Sequence, residues 1–109
     1  MISAALIVGG FDDSGSHIYS IHPYGSAERL SYMSLGSGSL AALSILENYY
    51  KDGLELKNAV QIVKEAVLAG IYSDMGSGGN IDICVLEKKK IKFKRNFYKN
   101  REVKFGGRF

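Results

Sequence analysis

Threonine and tryptophan are absent from this chain of 109 residues, and it has one cysteine and one proline. Without threonine, hydroxyl chemistry falls to serine and tyrosine. The single cysteine, Cys84, rules out a disulfide within the chain and fits a reducing compartment. It sits in the alternating run Ile81-Asp82-Ile83-Cys84-Val85, where a buried structural thiol is expected. The proline, Pro23, opens a turn with Tyr24-Gly25-Ser26. No apolar run approaches the roughly 20 residues that span a bilayer. Residues 1–8 are apolar but lack the positive leader and the length of a signal peptide. These absences predict a soluble cytoplasmic or nuclear protein with no membrane partner. His17 and His22 have no partner at i,i+4 and no nearby cysteine, so zinc spacing is lacking too; both read as strand histidines.

What is present suits one folded domain: 46% apolar and 11% aromatic residues, enough to form a core without staples. The net charge of +3 conceals an uneven distribution. Residues 88–109 hold ten Lys/Arg and one acid, whereas residues 1–87 hold four basic and ten acidic side chains. A cationic tail on an anionic body predicts an interaction arm or a solvated basic end.

Ala4 to Val8 reads as a buried strand closed by Gly9-Gly10. The run Asp12-Asp13-Ser14-Gly15-Ser16 is turn chemistry, returning a hairpin through His17 to His22. Leu30 to Leu35 reads as a third strand. The period then changes. Ser39 can cap a helix through Leu40, Leu43, Leu46 and Tyr50 that ends near Asp52-Gly53. A second helix starts near Leu56, with an apolar stripe of Ala59, Val60, Val63, Ala66, Val67, Gly70 and Ile71. Ile81, Ile83 and Val85 mark a strand, and Ile91 and Phe93 a last one. The class is α+β: antiparallel strands, two helices, two strands. A meander with helices on one face leaves the other face and an edge uncovered. We therefore expect the second half of a larger layered domain.

Three candidate residues lie at helix ends. Asp74 continues the buried stripe of the second helix, close to the negative end of its dipole. Burial and dipole both disfavour the charged form, so Asp74 needs a cation or several hydroxyls as partners. Ser77, in the turn Gly76-Ser77-Gly78-Gly79, can reach the same point. The stretch Gly36-Ser37-Gly38-Ser39-Leu40-Ala41-Ala42 satisfies G-x-G-x-x-A, but a dinucleotide fingerprint requires a parallel strand after the helix, and a second helix follows instead. What remains is close backbone approach and Ser37 exposed at a helix N-terminus; a plain capping turn is the competing reading. A Ser-His-Asp set can also be assembled on paper from Ser37, His22 and Asp74.

With Gly9-Gly10-Phe11-Asp12, Ser16 to His22, Gly36 to Ala42, Ala69 to Asp74 and Gly76 to Val85, the chain resembles the beta subunits of the proteasome core particle, in the class with the trypsin-like site. The resemblance runs from about Ala4 to Leu86. It implies part of a four-layer αββα Ntn-hydrolase sandwich, with residues 1–94 as the C-terminal half of a beta-subunit domain and 95–109 as a basic C-terminal arm. In that family an N-terminal threonine is the nucleophile and its own amine the base; a lysine and an aspartate tune it, and a glycine amide supplies the oxyanion contact. All of these lie in the first half, so this threonine-free chain is not catalytic alone.

The resemblance maps supporting roles onto Ser37, Asp74 and Ser77, which would hold the threonine's amine and hydroxyl. It requires no cofactor, but implies a structural magnesium or similar cation on the main-chain carbonyls of Ile71, Asp74 and Ser77. Implied partners are other proteasome alpha and beta subunits in stacked rings and unfolded polypeptide substrates, cleaved after basic residues. His22 and Tyr24 would face a neighbouring subunit, and the aromatic, cationic stretch Phe97 to Phe109 would anchor on an acidic one. Two alternatives remain: a non-catalytic structural beta subunit, and a nucleic-acid-binding module that uses the basic tail.

Overall fold

The computed structural model describes residues 4–99. β1 (Leu6–Asp12) and β2 (Gly15–Ile21) form an antiparallel hairpin, and β3 (Ala27–Leu30) pairs along the other side of β2. The Asp12 carboxylate closes the first turn by accepting the Ser14 N–H at 2.8 Å, a side chain imitating a backbone turn. β1 does not stop at its glycines. Gly9 and Gly10 pair with Ile18 and His17, so the ladder overrides their weak strand propensity. The third strand is displaced from the expected Leu30–Leu35: it ends at Leu30, and the chain then leaves the sheet. Ser34 Oγ donates to the Ser39 carbonyl at 2.8 Å, tying this irregular segment to the following helix instead.

That helix, α1, spans Ser39–Tyr49. Its N-cap is Gly38 and no side chain caps it, so Ser39 is the first helical residue and not the expected cap. α2 (Leu56–Ser73) returns against α1, with Asp74 as its extended C-cap. β4 (Ile81–Glu87) and β5 (Lys90–Tyr98) form a separate antiparallel pair. β5 runs across the expected boundary between residues 94 and 95, and residues 100–109 of the expected arm lie outside the described residues.

The alternation along β4 sorts its side chains. Ile81 and Ile83 pack on Leu68 of α2, with Val60, Ile71, Val85, Phe97 and Tyr98 around them. Cys84 points to the opposite face and is exposed, not buried as expected, because nothing among the described residues covers that face. Among the described residues the buried apolar side chains are few: Leu46, Ala66, Leu68, Ile81 and Ile83. Leu6, Ile7 and Val8, successive residues on both faces of β1, are 50%, 44% and 46% exposed. The radius of gyration is 15.4 Å, against about 13 Å for a compact domain of about 100 residues. Strands and helices confirm the α+β class; a second helical layer is not found among the described residues. No helix among them is long and apolar enough to cross a membrane.

Candidate active site

The beginning of α1 and the end of α2 meet backbone to backbone. A Cβ built on Gly38 would lie 2.9 Å from both the Cα and the carbonyl oxygen of Gly70, closer than side-chain carbon can pack. This contact sets Ser37, just before α1, beside Asp74, just after α2. Gly36 turns the chain into that position with φ +114°, a conformation that favours glycine.

Three side chains converge there. Ser37 Oγ and Ser77 Oγ each donate to Asp74 Oδ2, both at 2.6 Å. The Ser77 N–H bonds the Asp74 carbonyl at 3.1 Å, and the Asp74 N–H bonds Gly70 at 3.0 Å, so the turn is braced at both ends. Asp74 is half-buried. Its carboxyl titrates below the usual value, held down first by the Ser37 hydroxyl, then by Ser77 and the Gly76 N–H, against an opposing effect of burial. The expected rise is thus corrected: direct donors outweigh desolvation and the helix dipole. The hydroxyls demanded as partners are present.

This geometry has a chemical consequence. Each serine commits its proton to Asp74 and turns its lone pairs outward. The cluster is therefore an anionic acceptor surface, suited to an ammonium or to O–H donors. Ser37 and Ser77 open onto a cleft of about 1000 Å³, whose other walls include Val63 and Val67 of α2 and Ile7 and Ile18 of the first sheet.

His22 is not part of the cluster. Its ring lies 3.6 Å from Glu28, and Asp74 is engaged by serines, so no Ser37-His22-Asp74 relay forms. Tyr24 is exposed. A different serine, histidine and aspartate do meet at the first hairpin. Asp12 Oδ1 accepts Ser14 Oγ at 2.7 Å and lies 2.9 Å from His17 Nε2, which is also 3.0 Å from Ser14 Oγ. Acid and hydroxyl thus share one ring nitrogen, whereas a relay needs them on opposite nitrogens. This set locks a turn. The Asp12–Ser14 spacing was its readable signal; the glycines around Ser37 signalled a close backbone approach, but not that Gly70, far off in sequence, would be the partner.

Among the described residues, no group of three or more His, Cys, Asp or Glu side chains could hold a metal. The main-chain oxygens are a separate matter. α2 ends at Ser73, so its last carbonyls have no further helical turn to serve. The Asp74 carbonyl keeps a second lone pair beyond its bond from Ser77. Carbonyl oxygens are the kind of donor that a hard cation takes.

Residues 1–86 match the model of a family described as proteasome subunit. The chain belongs to the proteasome subunit family. Over 96 residues it is 46% identical to proteasome subunit beta type-7-B of Arabidopsis thaliana, covering 88% of this chain and 35% of that protein. It is 47% identical over 97 residues to proteasome subunit beta type-2 of Saccharomyces cerevisiae, with 88% and 37% covered. A probable proteasome subunit beta type-2 of Schizosaccharomyces pombe is 46% identical over 101 residues, with 93% and 38% covered. This proteasome-family chain therefore spans a little over a third of the length of these curated relatives. The matching region contains the whole Ser37–Asp74–Ser77 cluster.

Proposed function

We propose that this chain is the part of a proteasome core beta subunit that supports a threonine-protease centre. It assembles with other alpha and beta subunits in stacked rings, in cytoplasm and nucleus, and the centre it supports cleaves unfolded polypeptides after basic residues. The observation that carries this reading is the paired donation of Ser37 and Ser77 to one oxygen of Asp74. That arrangement presents acceptors to an amine and a hydroxyl, the two groups of an N-terminal threonine. The threonine, which this sequence lacks, is supplied by residues outside it. A hard cation on the carbonyls of Ile71, Asp74 and Ser77 would fix the turn that carries two of the three side chains.

The experiment is made on native core particles. The subunit's intact mass and N-terminal sequence are read first; a mass well above 11.9 kDa and an N-terminal threonine are expected. Asp74→Asn particles are then assayed on a peptide with a basic residue before the scissile bond. A rate loss of roughly 10²-fold is expected, comparable to misplacing a catalytic group by about 1 Å. Assembled particles that keep the native rate would identify a structural subunit instead.

A further inference from the structure

We propose that Gly38 and Gly70 are positioning residues of the Ser37–Asp74–Ser77 cluster, acting through the backbone seat between the start of α1 and the end of α2. The proposal rests on the catalytic reading above and adds what holds that site in register.

Neither glycine takes a positive φ, in contrast to Gly36, Gly53 and Gly79. Conformational freedom is therefore not what these two positions require. Space is. A Cβ on Gly38 would meet the Gly70 backbone at 2.9 Å, and one on Gly70 would meet the Gly38 carbonyl oxygen at 3.2 Å. The neighbour in both cases is main chain, which has no rotamer to yield. Only a relative shift of the two helices could relieve the contact.

The two arms of the cluster depend on this seat unequally. Ser77 is three residues from Asp74 in the same turn, and its hydrogen bond is local. Ser37 is 37 residues away, and its hydrogen bond crosses from one helix to the other. Gly38 adjoins Ser37, and the Gly70 carbonyl both borders Gly38 and accepts the Asp74 N–H. A side chain in the seat thus opens the Ser37 arm and spares the Ser77 arm. The larger opening belongs to Gly38, where the clash is closer.

The test compares core particles carrying Gly38→Ala, Gly70→Ala, Ser37→Ala and the Gly38→Ala/Ser37→Ala pair. Gly10→Ala is the control, because a Cβ there meets nothing within 4 Å. For Gly38→Ala we expect kcat to fall roughly 10²-fold with KM little changed, and a smaller fall for Gly70→Ala. The double variant should be no slower than Ser37→Ala alone, because both changes remove one contact. Losses that multiply, or a native rate in Gly38→Ala beside a slow Ser37→Ala, overturn the proposal. If Gly38→Ala does not assemble, Gly70→Ala is judged by the same criteria. Electron cryomicroscopy of the variants keeps this distinct from the catalytic reading. Native rates in Ser37→Ala and Asp74→Asn would sink that reading, while the Ser37–Asp74 distance would still decide the seat. It should exceed its native 2.6 Å with the Ser77 arm intact; an unchanged distance overturns the proposal.

Discussion

A carboxylate at the end of an 18-residue helix faces a dipole that opposes its charge. Asp74 is nonetheless held in its charged form, because two hydroxyl protons are spent on it. Asp12 shows the same rule at an exposed turn. Its carboxyl is lowered from 3.8 to about 2, first by the Ser14 hydroxyl, then by His17 and the Ser14 N–H. The folded value lies below the unfolded one, so the native state binds fewer protons through that window. Its stabilising contribution is complete above about 3.8 and is lost as pH falls through about 2. An NMR titration of the Asp12 carboxyl carbon should give a midpoint near 2, moving towards 3.8 in Ser14→Ala. An ordinary midpoint in the native chain would refute the turn lock.

Between elements, the contact of α2 with β4 holds the helical hairpin on the second sheet. Leu68, Ile81 and Ile83 are its centre, with exposures of 9%, 3% and 7%. Leu68→Ala should destabilise by about 2–5 kcal/mol, the range for truncating a buried leucine, read as a lower urea midpoint. Glu65→Ala, on the exposed side of the same helix, should stay within about 0.5 kcal/mol. The β4–β5 pair has a second fixed point. Its register shifts between Ile81 and Ile83, and Asn96 opposite takes φ 55° while its N–H bonds Asp82 Oδ1 at 2.8 Å. A β-branched side chain resists that conformation. Asn96→Val should therefore cost about 1–2 kcal/mol, and Asn96→Gly less; equal urea midpoints for the two would count against the strain argument.

Across the whole molecule, apolar surface exceeds what its own elements can cover. Leu40 on α1 is 83% exposed, and Ile91 and Phe93 on β5 are 70% and 56% exposed. Isolated domains of this length ordinarily remove about two-thirds of the chain's surface from water. The expected behaviour of residues 1–109 alone is binding of an apolar fluorescent dye and self-association on a sizing column. A monomeric, dye-silent chain would show that the exposed faces close on themselves. The same surplus agrees with a chain that spans 35–38% of the beta subunits quoted above.

Element order, the α+β class and the two glycine–serine turns were legible in the sequence, because strand and helix periods and turn chemistry act over a few residues. So was the need of Asp74 for hydroxyl partners, which follows from a carboxylate on an apolar stripe. The ends of β1 and β3 were not, since pairing with β2 overruled local propensity. Nor was the exposure of Cys84: alternation assigns a face, but only packing covers it. The tertiary structure alone decided that Ser37 reaches Asp74, and with it the downward direction of that carboxyl's titration. That bond joins residues 37 apart, and it exists because Gly38 and Gly70 lack the side chains that would keep the two helices from touching.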